Sequence, residues 1–158
     1  MNKPDFRINR PGKYEYRLPV EKRGDDKEMR GIIEARTSGD YEIRVVAEHL
    51  VPDTKGRIEV RGVVENGARV KLVGLVRIGE GAVDTDSFLS LKLLMLDDKS
   101  FALAEPELEI LNNEVKASHA ASVGRIDEEQ LYYLCSRGIK REEARRLIID
   151  GFLGNIEN

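Results

Sequence analysis

The 158-residue chain holds one cysteine and no tryptophan. A single thiol excludes an internal disulfide and fits a reducing compartment, so the cytoplasm is the expected location. Aromatic residues make up 6% of the chain, too few for the stacking platforms on which proteins hold single-stranded bases. An excess of one charge is also lacking. The 26 Lys and Arg face 29 Asp and Glu, for a formal net charge of −3, which supplies no field to attract nucleic acid or an anionic membrane. No run of 18 apolar residues occurs, and the opening "MNKPDFRINRPGKYEYRL" has no apolar core. Neither a membrane span nor a signal peptide is therefore expected. The chain also lacks GxxxxGK[ST], HExxH and GxSxG motifs and any Cys–His pair at nucleophile spacing. The expectation is a protein that is not an enzyme.

What the sequence does have is strands. "KYEYRLPV", "EMRGIIEA", "DYEIRVVAEHLV", "GRIEVRGVV", "ARVKLVGLVRI" and "SFLSLKLLML" alternate apolar and polar residues, and "SFALA", "LEIL" and "EVKAS" follow. Between them lie turn clusters such as "KRGDD", "PDTKG", "ENGA", "GEGA", "EP" and "LNNE". Residues 1–12, polar and holding Pro4 and Pro11, read as a flexible lead-in. Gly-Ala pairs at Gly67 and Gly81 form a weak repeat. Such a string of strands fits a β-solenoid of stacked coils or an antiparallel sandwich, and the repeat leans towards the solenoid.

The period changes near the C-terminus. Asp127 is a good N-cap, followed by Glu128, Glu129 and Gln130. Leu131, Leu134 and Cys135 share a helical face, and Gly138 suits the position after a helix end. "REEARRLIIDGFL" gives a second helix with Ala144, Leu147, Ile148 and Phe152 as its apolar stripe. These two make a helical hairpin. The division expected is a β domain over 1–121 and a helical segment over 122–158.

The stretch "LEILNNEVKASHAASVGRIDEEQLYYLCSRGIKREEARRLIIDGFL" resembles the SufB/SufD family of iron–sulfur cluster assembly proteins, closer to SufD. It follows the family's order of an L-E-I strand, a polar turn, V-K-x-S-H, a small-residue link, V-G-x-I-D-E-E and S-R-G-I before an E-A helix. Upstream, His49 and Pro52 fit an H-x-x-P element, and "GARVKLVGLVRIGEGAVDTDSF" fits the family's rungs. The likeness runs from Tyr41 to Leu153. It implies a right-handed parallel β-helix followed by a C-terminal helical region. It also implies a role as scaffold or accessory component in cluster assembly, as a homodimer, beside a SufB- or SufD-like partner, or with a SufC-type ATPase. Family members are longer at both ends, and the family's SufD-like Cys-Ser-His reads Ala117-Ser118-His119 here.

Site residues follow from both sources. Read from the residues, His119 is a strand-end histidine bonding the junction or a ligand and proton-handling group; the resemblance places it where two subunits meet, with Ser118 and Ala120 beside it in the interface. Cys135 reads as a small hydrophobe in a helix face, with a ligand role as the alternative. His49 reads as a turn residue, again with a ligand role as alternative. Asp84 and Asp86 read as turn or solvated residues, and one ring of the pair Tyr132 and Tyr133 as packing. By resemblance, Arg141, Glu142, Glu143, Arg145 and Arg146 belong to a partner-docking helix. Clusters take four protein ligands, mostly thiolates. One Cys and two His do not supply that set, so no stably bound cofactor is expected in a monomer. A transient cluster or iron shared across a two-fold dimer remains open. One rival is a module that keeps the fold without the cluster chemistry. Another is a carbohydrate-binding solenoid, disfavoured because it needs clustered aromatics and carboxylates.

Overall fold

Residues that alternate every second position bury one face of a strand, and stacked coils let every strand do so against the same core. The computed structural model, which describes residues 4–154, has this form. Residues 1–3 of the expected lead-in and 155–158 of the expected helical segment lie outside the described residues. Nine strands run in order: β1 Phe6–Ile8, β2 Gly12–Val20, β3 Asp26–Ala35, β4 Gly39–His49, β5 Lys55–Val64, β6 Ala68–Ile78, β7 Thr85–Met95, β8 Phe101–Ile110 and β9 Val115–Arg125. Odd-numbered strands form sheet A in the order β1-β3-β5-β7-β9, and even-numbered strands form sheet B in the order β2-β4-β6-β8. Every pairing is parallel. The protein is therefore a parallel β-helix with two strands per coil, not an antiparallel sandwich.

Registers stack residues about 30 positions apart into columns. Met29, Ile58 and Leu89 form one column of sheet A; Tyr41 and Val70 form one of sheet B. All five are buried between the sheets. The Gly-Ala pairs at Gly67 and Gly81 mark successive corners of one coil, before β6 and before β7. Their spacing is thus half a coil, with two strands per turn.

Several local expectations are corrected. The lead-in contributes β1, which pairs with β3 through Phe6 and Gly31. Phe6 is buried and stacks on Tyr16 with ring centroids 3.8 Å apart, closing that end of the core. Gly31 has no side chain because the Phe6 ring occupies the place of its Cβ. The "EP" turn is absent: β8 runs through Pro106 without a break. The small-residue link is strand as well, since β9 continues through Ala120 and Ser122 to Arg125, across the expected boundary at 121.

Two helices follow, α1 Glu128–Ser136 and α2 Arg141–Gly154. The Asp127 side chain accepts from the Glu129 amide, and Gly138 sits at φ +87 after α1. α2 lies on the outer face of sheet A. Ile149 and Leu153 pack with Ile32, Val63, Leu94 and Leu96 in a second core. Arg61 donates to the Phe152 carbonyl at 2.8 Å, and Arg145 donates to the Leu96 carbonyl at 2.6 Å. The buried stripe of α2 is Ala144, Ile149 and Leu153, while Leu147 is exposed. It is rotated from the stripe read in the sequence, because the helix docks on a sheet flank and is anchored there by Arg145. Tyr132 and Tyr133 are both exposed, with Arg137 over the Tyr133 ring.

Candidate functional site: the open end of the solenoid

β8 and β9 are the last strands of their sheets, and the core stops there without a cap among the described residues. His119 is in register with Leu89. It therefore extends the inward column of Met29, Ile58 and Leu89 by one rung, but at the open end it is exposed. Ala117, Ala121 and Val123 share its inward parity, and Ser118 and Ala120 point to the outer face. All three residues expected at an interface thus lie on an exposed edge strand, with His119 on the face opposite to its two neighbours. Across the core, β8 presents Leu108 and Ile110, and Leu111 follows it; all are large and exposed.

The backbone at this end is unpaired in a definite pattern. Leu111 donates its amide to Ile78. Alternation along a parallel ladder then directs Glu105, Glu107 and Glu109 towards β6, and Pro106, Leu108 and Ile110 towards the open edge. Pro106, which has no amide hydrogen, thus sits where no ladder bond is missing. The same alternation in sheet A places the His119 amide and carbonyl on the open edge of β9. A row of free backbone groups beside exposed apolar side chains is a template for another strand.

The other candidates lie elsewhere. Cys135 is half-buried in the last turn of α1. Arg141 ties α2 to α1 through Glu128 at 2.9 Å. Arg145 is spent on the Leu96 carbonyl, while Glu142, Glu143 and Arg146 are exposed. Asp84 occupies a left-handed corner at φ 56, and Asp86 lies in register between Lys55 and Lys116. Among the described residues, no three of His, Cys, Asp and Glu are grouped to hold a metal ion.

His49 ends β4 with its ring inside the core, fully buried. Nδ1 lies 2.9 Å from Thr54 Oγ1, and Nε2 lies 3.1 Å from Ser87 Oγ. The Ala82 carbonyl can only accept, so Thr85 Oγ1 donates to it at 2.8 Å. Thr85 Oγ1 lies 3.2 Å from Thr54 Oγ1, which also reaches the Val51 carbonyl at 3.4 Å, and Ser87 Oγ also reaches the Gly56 carbonyl at 3.4 Å. Whichever ring nitrogen carries the proton, a hydroxyl is there to accept it and another to donate to the bare nitrogen. Both ring nitrogens are occupied by hydroxyl partners, and burial holds the imidazole pKa below its ordinary value of 6.5. Sequence reasoning missed this polar chain, because its members are brought together by register between coils. The signal available was a Thr or Ser near each rung start: Thr54, Thr85 and Ser87.

The model of the SUF system FeS cluster assembly SufBD core domain matches residues 14–152. The chain belongs to the SufBD family. An iron–sulfur cluster assembly SufBD family protein of Mycobacterium tuberculosis is 38% identical over 141 residues, 84% of this chain and 36% of the relative. The iron–sulfur cluster assembly protein SufD of Bacillus subtilis is 43% identical over 110 residues, 70% of this chain and 25% of the relative. SufB of the same organism is 38% identical over 105 residues, 66% and 23% respectively. The chain thus spans about a third or less of the length of these SufBD relatives. No helix among its described residues is long and apolar enough to cross a membrane.

Proposed function

We propose that this SufBD-family chain is a non-enzymatic scaffold component of iron–sulfur cluster assembly, with its working surface at the open end of the β-helix. One observation carries the reading. His119 occupies a position that is core in β3, β5 and β7, yet is exposed beside an unpaired strand edge. A second strand-bearing subunit docked there brings its own donors next to His119, and a nascent cluster or iron is held between subunits as cargo. The second subunit is a copy of this chain or a SufB- or SufD-like relative. α2, with Glu142, Glu143 and Arg146 exposed, is the surface for a SufC-type ATPase.

The test is anaerobic incubation of the chain with ferrous iron and sulfide, alone and with a SufB-like subunit, followed by metal and sulfide quantification. Pull-down with a SufC-type ATPase runs in parallel. Iron and sulfide retained by the parent chain and lost in His119→Ala supports the role. Absence of iron, sulfide and ATPase binding from the parent chain removes it.

Ala117 favours a second reading. It stands inward and half-buried, two residues before His119, and brings no thiol. On that reading the chain keeps the fold as an interaction module, and His119→Ala leaves partner binding and iron content unchanged.

A further inference from the structure

The outer face of sheet B carries rows of charge whose sign alternates from strand to strand. On β4 the outward residues are Asp40, Glu42, Arg44, Val46 and Glu48; on β6 they are Arg69, Lys71, Val73, Leu75 and Arg77; on β8 they are Phe101, Leu103, Glu105, Glu107 and Glu109. The β4 row is mainly acidic, the β6 row basic and the β8 row acidic. Each basic side chain of β6 is used by its neighbours. Lys71 meets Glu105 at 3.1 Å, and Arg77 bridges Glu48 at 3.2 Å and Glu109 at 2.9 Å. Arg69 meets Asp40 at 3.5 Å and lies 5.1 Å over the Phe101 ring. Arg44 reaches Glu107 at 3.4 Å. The alternation ends on β8, where the three glutamates are neutralised from one side and half exposed on the other, with side-chain exposures of 43%, 50% and 47%.

We infer that the strand which extends sheet B beyond β8 carries Lys or Arg at alternate positions facing Glu105, Glu107 and Glu109, so this edge selects a strand of opposite charge over a second copy of β8. The inference rests on the end-to-end docking proposed above and names the partner's chemistry. Like charges directly opposite across a strand pair are unfavourable, and opposite charges favourable. A second copy of β8 offers only glutamates. The β9 edge has no such bias. Its outward row of Lys116, Ser118, Ala120, Ser122 and Gly124 holds one charge, so it tolerates self-pairing or another partner. Selection therefore lies in β8. The inward row fits the same partner strand, because Leu108 and Ile110 are exposed and need apolar cover.

The test uses the full chain against charge variants of itself, which removes the need for an identified partner. Chains carrying E105K/E107K/E109K and E105Q/E107Q/E109Q are made with distinct isotope labels. Each is mixed with the parent chain and read by native mass spectrometry and sedimentation at low and high salt, with circular dichroism confirming the fold. The ratio of parent–Lys heterodimer to homodimers is expected to exceed its statistical value roughly ten-fold, with the excess lost at high salt. The Gln chain is expected to self-associate more than the parent. A statistical distribution of parent and Lys chains, or an excess indifferent to salt, overturns the inference while leaving end-to-end docking standing. Absence of any association in all mixtures overturns both. If the Lys chain does not fold, the Gln chain decides alone: self-association equal to the parent's overturns the inference.

Discussion

His49 occupies the space that Gly56 leaves. A Cβ on Gly56 would come 2.7 Å from His49 Nε2 and 2.8 Å from Cε1. The ring has little freedom to yield, since hydroxyls hold it at both nitrogens. Gly56→Ala is therefore an overpacking change inside a filled core, expected to cost about 1–3 kcal/mol. Urea unfolding checks it. A midpoint equal to the parent's shows that the ring moves freely.

The same histidine sets a pH dependence. Its folded pKa lies below the 6.5 of an ordinary imidazole because burial disfavours the charged ring. Between the folded value and 6.5 the unfolded chain binds more protons than the folded chain. Stability is thus full above pH 6.5, falls as pH drops below it, and levels off beneath the folded pKa. The slope within that window is at most about 1.4 kcal/mol per pH unit from this group. His49→Gln is expected to flatten the window at some cost in overall stability. Urea midpoints from pH 5 to 8 for both chains provide the comparison, and identical slopes rule His49 out as the cause.

The strands richest in Val, Ile and Leu were legible in the sequence. β6 coincides with the alternating run "ARVKLVGLVRI". β9 looks shorter in the sequence than it is, because Ala and Ser on both faces give period-two alternation no hydrophobic contrast; Ala117, Ala121 and Val123 are inward only by register. Pro106 read as a turn because its missing amide hydrogen matters only in an interior strand. The buried stripe of α2 differs from the one the sequence pattern gives because the helix packs on one flank of a sheet, so which turns are covered depends on Val63 and Leu94 in distant coils. The exposure of His119 is not legible from the residue pattern, since it depends on which strand is last in the stack; only the family resemblance, which puts it where subunits meet, points to it.

The last helix allows stability to be separated from docking. Arg145 donates to the Leu96 carbonyl from a half-buried position. Arg145→Ala is expected to cost about 1–2 kcal/mol by leaving that carbonyl unpaired and loosening α2. Arg146 is exposed, so Arg146→Glu is expected to change stability by less than about 0.5 kcal/mol while weakening capture of a SufC-type ATPase. Thermal melts and pull-down, run on both variants, sort the two roles. Equal loss of capture from both, scaling with melting temperature, assigns the effect to folding rather than to a docking surface.

Leu89 and His119 test the open end most directly, because they are consecutive members of one column. Leu89→Ala removes a fully buried side chain and is expected to cost about 2–5 kcal/mol through the cavity it leaves. His119→Ala removes an exposed one and is expected to stay within about 0.5 kcal/mol of the parent. The order reverses for cluster chemistry. Iron and sulfide retained after anaerobic reconstitution should drop sharply in His119→Ala. In Leu89→Ala they should fall only as far as the folded fraction falls. Melting curves and iron content measured on the same preparations decide it. If His119→Ala destabilises as strongly as Leu89→Ala, the histidine is core after all, and the working surface lies elsewhere.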